Sequence, residues 1–534
     1  MILPRVRDGL TIQRISPTEY VVTRADSREY FSIGPQEACL LECSMAKTPL
    51  RKFRQGPNFN SRRECFDAWK SSTRVATLVD SPVMNLRFSH IHPPFSIIGA
   101  QFMKPITSET SRRSFLGSAA AVAAATSTLT ASSARASSPA EKVVVGIMGV
   151  SRGAALAQIY ASLPDVEVKY VCDTDKNRLD AFRETLAGKV SYEVLGVTDF
   201  RKILDDAEVD ALVCAAPNHW HAPASILACS AGKHAYVEKP CCHNPREGEL
   251  LIEAARKNKR CVQMGNQRRS GPKLAEAMNL LHEGTIGRVY YSRSWYAATR
   301  GSIGTGTPAD VPPHIDYELW QGPAPRQPFT SNRLHYNWHW NWHYGNGELG
   351  NNGIHSIDLS RWGLGVDYPV RVVSSGGRYV FDDDQTTADT HIVSFEFPGE
   401  KQIVWECLSC NRYGMDSSGF GATFHGEKGT LKMNEWGYKI FDDKGKETAS
   451  VDGTDGLKAH IENFIAAIRA NDPTLLNSDI EEGHKSTLLC HLGNIAHRTG
   501  DSLKCDPTNG HVLNNEAAMK LWTRDYEPGW EPKV

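Results

Sequence analysis

Polar side chains that could do chemistry follow two short apolar runs near the middle of the chain. Residues 210–216 are followed by Asn218 and His221, and residues 235–237 are followed by Lys239. Both runs are typical of buried parallel strands. Ligands of open parallel sheets bind outside the carboxyl ends of the strands, so we expect these three side chains to face one crevice. There the Lys239 amine could stabilise an oxygen on which negative charge develops.

A glycine turn after an earlier strand predicts where a dinucleotide would lie. Residues 142–148 are apolar, and Gly149-Val-Ser151-Arg152-Gly153 leads from them into a helix. Glycines in such a turn let the backbone approach a pyrophosphate on the helix amino terminus. The turn is one residue shorter than G-x-G-x-x-G, and Ser151 stands near the second glycine position.

An acidic residue follows the next predicted strand, residues 166–171. Asp173 lies close to the spacing of about 20 residues after the glycine turn that is expected for a carboxylate binding the adenosine ribose. A carboxylate there favours NAD over NADP, because it repels a 2′-phosphate, although NADP stays open. The alternative is that Asp173 caps the helix predicted for residues 175–186.

A second candidate constellation surrounds His355. A Gly/Asn-rich turn precedes a helix predicted for residues 354–362, with Asn351 or Asn352 as its cap. His355 and Asp358 are three residues apart and share a face of that helix. A lone histidine at a helix start is usually structural, so these residues alone do not decide its role.

Three motifs in this order resemble the glucose–fructose oxidoreductase / inositol dehydrogenase / rhizopine catabolism (Gfo/Idh/MocA) family. They are Ala216-Pro217-Asn218-His-Trp-His221, Glu238-Lys239-Pro240 and Gly353-Ile354-His355-Ser-Ile-Asp358, and the resemblance covers roughly residues 142–500. It implies an α/β fold: an amino-terminal Rossmann dinucleotide-binding domain, then an α/β domain with a large open, mainly antiparallel or mixed sheet.

The resemblance also implies roles for the candidate residues. His355 would be the catalytic base, Lys239 would bind the reacting oxygen, and Asn351 would fix His355 or the substrate. The family has an Asp where this chain has Asn351, and an amide cannot stabilise an imidazolium as a carboxylate does. The implied cofactor-binding residues are Gly149, Ser151, Arg152, Gly153, Asp173, Pro217, Asn218, His221, Glu238 and Lys239.

Residues 335–344 alternate between aromatic and His/Asn side chains. If this segment is extended, its aromatic face suits the C–H face of a sugar and its polar face suits hydroxyls. The alternative is an aromatic face buried in the domain core. A metal site is disfavoured, because no carboxylate or Cys joins the histidines at a suitable spacing, and Cys407 and Cys410 have no second pair. We therefore expect no metal.

Composition and net charge limit the classes of partner that we expect for this chain. The 534 residues carry a formal net charge of −1, so no overall field favours nucleic acid or a membrane surface. We expect a small sugar or polyol as the substrate, no nucleic acid and no membrane span after processing. We also expect a homo-oligomer, because an open sheet face could pair with another subunit.

The first 140 residues read as targeting sequence and a non-domain extension. Residues 1–102 show no sustained helix or strand period, which indicates a mis-assigned start or a disordered leader. Within 103–140, Arg112-Arg113, an Ala-rich stretch and Ala134-Arg-Ala136 form a twin-arginine signal followed by a linker. This predicts export to the periplasm. The remaining predicted divisions are 141–265 for the Rossmann domain, 266–515 for the substrate and oligomerisation domain, and 516–534 for a tail.

The predicted function is an exported NAD(P)-dependent oxidoreductase that moves a hydride between a sugar or polyol carbon and a nicotinamide. One alternative is a redox-neutral, glycoside-cleaving or sugar-converting enzyme with a tightly bound NAD. The other is a non-catalytic sugar-binding protein on the same scaffold.

Overall fold

The computed structural model describes residues 10–16, 19–24, 30–33, 142–415 and 418–534. These belong to two compact units that divide between Ser127 and Thr128. The twin-arginine signal predicted within residues 103–140 lies outside the described residues. Among the described residues, no helix is long and apolar enough to cross a membrane.

The first unit contains a small antiparallel sheet in the order β1-β2-β3. Its strands are β1 (Leu10–Ser16), β2 (Glu19–Arg24) and β3 (Tyr30–Ile33). These three segments lie within residues 1–102, where the sequence shows no sustained strand period. Each segment is rich in β-branched or aromatic residues, which favour strands, but is too short for its period to stand out.

The second unit begins with a six-stranded parallel sheet in the order β6-β5-β4-β7-β8-β9. Its strands are β4 (Val143–Met148), β5 (Val166–Cys172), β6 (Leu195–Val197), β7 (Ala211–Cys214), β8 (His234–Val237) and β9 (Val262–Met264). The helices between or just after them are α1 (Arg152–Ser162), α2 (Lys176–Ala187), α3 (Arg201–Asp205), α4 (Asn218–Ser230) and α5 (Pro245–Lys257).

Alternate residues of β4 face two different helical layers, as a buried central strand requires. Val145 and Ile147 pack with residues of α1 and of a later helix, α9 (Leu457–Ala470), whereas Val144 and Met148 pack with residues of α4 and α5. All six residues of β4 are buried. Polar groups can therefore meet a ligand only at the ends of the strands.

A nine-stranded sheet follows, in the order β17-β16-β15-β14-β10-β13-β12-β11-β18. Its pairs are antiparallel except β10 with β13. Its strands are β10 (Val289–Ala297), β11 (Arg371–Gly377), β12 (Thr390–Phe397), β13 (Lys401–Leu408), β14 (Phe420–Gly426), β15 (Gly429–Met433), β16 (Tyr438–Asp442), β17 (Glu447–Val451) and β18 (Leu503–Lys504). The remaining helices are α6 (Pro272–His282), α7 (Tyr317–Gln321), α8 (Ile354–Leu364), α9 (Leu457–Ala470), α10 (Ile480–Thr499) and α11 (Glu516–Met519). The predicted fold class, a Rossmann sheet followed by an α/β region with a large mixed sheet, is confirmed.

Candidate active site

The turn after β4 has the geometry that its glycines predict. Gly149 has a φ of +92°, and a Cβ there would lie 2.6 Å from the carbonyl oxygen of Ala215. The turn therefore lies directly against the chain leaving β7, where the strand order reverses between β4 and β7. Ligands of doubly wound sheets bind at such switch points. The exposed Ser151 precedes α1 and makes no side-chain capping hydrogen bond.

Gly153 has a packing role. A Cβ at this position would lie 2.8 Å from Cγ2 of Ile147, so the glycine lets α1 lie close to β4. It does not line the cleft described below. Its predicted contribution to pyrophosphate binding is therefore indirect, through the placement of the amino terminus of α1.

Asp173 follows β5 and faces the glycine turn. Its Oδ2 accepts a hydrogen bond from the Val150 backbone N–H at 3.0 Å, and its Oδ1 accepts from the Asp175 N–H at 2.9 Å. A carboxylate has about four acceptor positions, so acceptor capacity remains for ribose hydroxyls. The capping role considered for Asp173 belongs to Asp175, which accepts from the N–H groups of Asn177 and Arg178.

Lys239 follows β8 and reaches across to the segment before α8. Its Nζ donates to the backbone oxygen of Asn351 at 2.5 Å and to the side-chain Oδ1 of Asn351 at 3.2 Å. Burial lowers the pKa of Lys239 to about 8, against the opposing effect of the neighbouring Glu238 carboxylate. The amine therefore titrates close to neutrality, which suits a group that binds a reacting oxygen.

Glu238 and Arg152 form an ion pair beside that amine. Arg152 Nε donates to Glu238 Oε1 at 2.9 Å, and the Glu238 side chain is 5% exposed. Burial on its own would raise the pKa of Glu238, but the charges of Arg152 and Lys239 lower it overall. The pair links the start of α1 to the strand end that carries Lys239. In the structure, each of these two side chains therefore has the other as its direct partner.

His355 lies in the first turn of α8 and is 8% exposed. Its Nδ1 is buried without a hydrogen-bond partner among the described residues. Burial holds the pKa of His355 well below its ordinary value, and the cations Arg268, Lys239 and Arg152 add to this. The imidazole is therefore neutral near pH 7 and has a lone pair with which to accept a proton.

The segment before α8 differs from the prediction. Leu349–Gly353 forms a π-helical turn that runs directly into α8, and no side chain caps that helix. The prediction that Asn351 or Asn352 is the cap is therefore wrong, because continuous helical backbone replaces the expected chain entry. Asn351 contacts Lys239, and Asn352 donates to the buried carboxylate of Glu348.

His355 and Asp358 lie on the same helix but have different roles. Asp358 is 1% exposed and accepts hydrogen bonds from Arg269, Asn266 and Ser486. This network anchors α8 to the loop after β9 and to α10. Asp358 is absent from the lining of the cleft.

The loop after β7 is short, because α4 begins at Asn218. Pro217 and Asn218 line the cleft at the first turn of α4. His221 also lines it, but its Nδ1 lies 2.6 Å from the oxygen of Pro240 and its Nε2 lies 2.7 Å from the oxygen of Ala216. Both ring nitrogens are therefore occupied by backbone that follows β7 and β8, which gives this histidine a positioning role.

The aromatic segment is not extended. Asn337–Trp340 forms a 3-10 turn, so the alternation along the sequence does not produce two opposite faces. Trp338, Trp340 and Tyr344 are buried, which agrees with the core alternative, while Tyr336 is 50% exposed. His339 stacks on Trp338, with ring centroids 3.6 Å apart, and both line the cleft.

Residues 314–335 form a strap along one side of the cleft, which the sequence did not predict. His335 Nε2 lies 3.0 Å from Asp175 Oδ2. The Asp316 N–H donates to the oxygen of Thr174, and the Lys176 N–H donates to the oxygen of His314. No local signal in the sequence pairs this region with the chain after β5. Leu319 and Trp320 of the strap also line the cleft.

All these elements surround one cleft of about 390 Å³. Its lining includes every predicted site residue except Gly153, namely Gly149, Ser151, Arg152, Asp173, Pro217, Asn218, His221, Glu238, Lys239, Asn351 and His355. The cleft therefore extends from the predicted ribose end at Asp173 to the amine of Lys239 and the imidazole of His355. Within the described part of the chain, no group of three or more His, Cys, Asp or Glu is arranged to hold a metal ion.

The parallel sheet, the glycine turn at its switch point and the acidic residue after β5 define a dinucleotide-binding enzyme fold with a second α/β domain. The family model described as "Oxidoreductase family, NAD-binding Rossmann fold" matches residues 141–266, and that described as "Oxidoreductase family, C-terminal alpha/beta domain" matches residues 293–531. The chain belongs to the Gfo/Idh/MocA oxidoreductase family. The predicted family and its NAD cofactor are confirmed.

Curated relatives match a limited part of the chain. An alpha-N-acetylgalactosaminidase of Shewanella oneidensis is 30% identical over 162 residues, which are 29% of this chain and 35% of the relative. An inositol 2-dehydrogenase of Salmonella paratyphi B is 30% identical over 160 residues, which are 29% of this chain and 46% of the relative. The matches thus span less than half of either relative.

Solved structures match a longer part. The aldose-aldose oxidoreductase from Caulobacter crescentus, complexed with glycerol, aligns with a TM-score of 0.53 at 19% identity, over 68% of this chain and 100% of its own. The WlbA dehydrogenase from Bordetella pertussis, in complex with NADH and UDP-GlcNAcA, aligns with a TM-score of 0.53 at 18% identity, over 68% of this chain and 99% of its own. At these identities the likeness establishes the fold.

Proposed function

We propose that the chain transfers a hydride between a hydroxyl-bearing carbon of a sugar, polyol or sugar derivative and the nicotinamide of NAD. The observation that carries the proposal is the single cleft, with Asp173 at one end and Lys239, Asn351 and His355 at the other. Bound NAD supplies the hydride acceptor or donor. The names of the relatives, which include an inositol dehydrogenase, support a polyhydroxylated substrate.

In the proposed reaction, two groups of the chain act on one substrate oxygen. The neutral imidazole of His355 takes the hydroxyl proton as the carbon is oxidised. The Lys239 ammonium donates a hydrogen bond to the same oxygen and stabilises the negative charge that it gains. Asn351 holds the Lys239 amine through its two oxygen atoms, so the amine stays aimed at the reacting centre.

Other residues bind and orient. The helix α1 amino terminus with Ser151 and Arg152 would receive the pyrophosphate, and Asp173 would receive the adenosine ribose and disfavour a 2′-phosphate. The half-exposed Tyr336 and His339, which is stacked on the buried Trp338, line the cleft and would contact a sugar there.

The test is reduction of NAD by a panel of polyols and aldoses with the purified full chain. Lys239→Ala should lower kcat/KM by about 100-fold or more, because it removes a charged hydrogen bond to the transition state. Lys257→Ala, a matched lysine change in the last turn of α5 and outside the cleft, should leave turnover unchanged. Unchanged turnover in Lys239→Ala on every accepted substrate would refute the mechanism. Binding of sugars without turnover by the unmutated chain would favour the non-catalytic alternative.

A second candidate is a redox-neutral enzyme that keeps its NAD and cleaves or converts a sugar through transient oxidation. Two observations favour it: an alpha-N-acetylgalactosaminidase is among the relatives, and the strap pairs with the chain next to Asp173 through His335 and Asp175. Absorbance of reduced nicotinamide after purification, together with cleavage of an aryl α-N-acetylgalactosaminide without added NAD, would identify it. A chain that purifies free of nucleotide and needs added NAD would be the dehydrogenase.

Export and assembly are also proposals. Arg112-Arg113 and the Ala-rich stretch after it support twin-arginine export to the periplasm, which moves folded proteins and would carry a bound NAD across. Replacing both arginines by lysines should retain the protein in the cytoplasm of a bacterial host. A homo-oligomer is supported by exposed apolar side chains such as Val373 and Ile392 on the large sheet, and light scattering would measure it.

A further inference from the structure

A second cavity of about 340 Å³ lies apart from the cleft and shares no lining residue with it. Four segments and Pro325 enclose it. The segments are the start of α5, the chain around residues 342–346, the second half of α10 and the chain after α11. Its size falls within the range of small-molecule sites, roughly 300–1,000 Å³. None of its residues has a place in the proposed reaction.

Three residues that line this cavity have buried polar atoms without partners among the described residues. These are both ring nitrogens of His243, Oδ1 of Asn346, and Nε and Nη1 of Arg524. His243 is 9% exposed and Asn346 is 5% exposed. A buried polar atom without a partner costs about 1–3 kcal/mol, so this many beside one cavity favour a polar ligand in it.

The contacts that these three residues already make determine which hydrogen-bonding groups remain. Asn346 Nδ2 donates to the backbone oxygen of His243 at 2.9 Å, so the atom left over is the acceptor Oδ1. Burial and the nearby Arg524 charge hold the pKa of His243 well below its ordinary value, so its neutral ring offers one donor and one acceptor. Arg524 offers donors only.

The charge of Arg524 is already balanced. Its Nη2 lies 2.8 Å from the fully buried Oε1 of Glu247 and donates to the backbone oxygen of His219. The side chains of His243, Asn346 and Arg524, taken with Glu247, therefore carry no net charge and offer both donors and acceptors. Arg498, Lys520 and Asp525 add charged groups to the same lining. An inorganic anion supplies acceptors only and would place an oxygen against Asn346 Oδ1, whereas a hydroxyl both donates and accepts.

The mouth of the cavity adds an aromatic surface. Trp342 lines it, and the Arg498 guanidinium lies 5.2 Å from the centroid of the Trp342 ring. An indole beside amide and imidazole groups offers a flat apolar face and a polar rim. A sugar ring has the matching pair of surfaces, with C–H groups on its face and hydroxyls on its edge.

We propose that this cavity is a second binding site, for a neutral monosaccharide or polyol, separate from the cleft. The segment that lines it, residues 342–346, follows Trp338 and His339 of the cleft and precedes the π-helical turn that carries Asn351. A bound sugar would therefore hold the chain that joins the two sites.

The test uses crystals of the full chain soaked in myo-inositol or N-acetylgalactosamine, with sodium phosphate as a separate soak. We expect a sugar or polyol in the second cavity, with hydroxyls against His243 and Asn346. Ordered water alone, or phosphate where no sugar binds, would overturn the proposal. This readout does not depend on turnover, so it can fail while the proposed reaction stands, or succeed while that reaction fails.

Calorimetric titration with the ligand seen in the crystal gives the solution test. Asn346→Ala should weaken the second-site dissociation constant about tenfold or more through the lost hydrogen bond, without changing kcat in the cleft. Trp342→Ala, at the mouth, provides an independent variant if Asn346→Ala fails to fold. Tyr413→Ala, an exposed aromatic outside both cavities, is the matched control. Equal affinity in Trp342→Ala and the control would contradict the assignment.

Discussion

Asn351→Asp is the perturbation that tests the proposed chemistry most directly. The change keeps the shape of the side chain and puts a negative charge where the amide Oδ1 lies, 3.2 Å from Lys239 Nζ. It also restores the acidic residue that the family resemblance leads one to expect at this position. If the Lys239 ammonium is the form that binds the reacting oxygen, activity should follow its titration.

The magnitude follows from the charge separation. An opposite charge within about 4–6 Å shifts a pKa by about 1–3 units towards the charged form, so the pKa of Lys239 should rise from about 8 to about 9–11. At pH 9 about 90% of the wild-type amine would be neutral. In the variant the neutral share would fall to about 50% or less.

The assay is the pH profile of kcat/KM for polyol oxidation. The wild-type rate should fall above about pH 8, because the ammonium is present below the folded pKa and is lost above it. The falling limb should move up by about 1–3 pH units in Asn351→Asp. Asn509→Asp, an exposed position outside the cleft, adds the same charge elsewhere and should leave the limb in place. A wild-type rate that rises through pH 8 would refute the reasoning, since Lys239 would then be needed as the neutral amine.

Three further predictions concern the cofactor end of the cleft. Asp173→Ala should raise the KM for NAD about 10–100-fold, because a charged hydrogen-bond acceptor is lost. It should also reduce the preference for NAD over NADP. An unchanged ratio of kcat/KM for the two cofactors would place the ribose elsewhere. Gly149→Ala should abolish NAD binding in a fluorescence titration, because its Cβ would lie 2.6 Å from the oxygen of Ala215; binding at wild-type strength would contradict the close approach. Arg152→Met should lower the free energy of unfolding at pH 7 by about 1–3 kcal/mol, because it leaves the buried Glu238 carboxylate with a weaker counter-charge, and Arg152→Met combined with Glu238→Gln should recover part of the loss in chemical denaturation.

The sequence was most informative where a buried strand ends. The apolar runs before Asn218 and Lys239 predicted β7 and β8, and the parallel arrangement then placed both side chains at one crevice. The same reasoning placed Gly149 and Asp173, since β4 and β5 are also parallel neighbours. Such inferences succeed because in a doubly wound sheet the topology, rather than local side-chain packing, decides which residues meet.

Local patterns failed where the backbone could follow more than one path. The alternation in residues 335–344 predicts two faces only for an extended chain, and the 3-10 turn at Asn337–Trp340 removes that premise. Asn351 was considered as a helix cap, but a π-helical turn replaces the expected entry into α8. The pairing of His335 with Asp175 joins segments that are far apart in the chain, and no hydrophobic period in the sequence predicts such a contact.

The amide at position 351 changes what Lys239 can do. Glu238 is already paired with Arg152, so a second carboxylate beside the amine would keep it charged throughout the neutral range. With Asn351, the pKa of Lys239 is about 8, so the ammonium that would bind the substrate oxygen is lost just above neutrality. His355 is the group that would exchange the proton, once in a reaction that only oxidises its substrate and twice in a redox-neutral cycle. In either case Lys239 acts only while it is charged, so Asn351 makes the rate sensitive to pH in a range where an aspartate at this position would not.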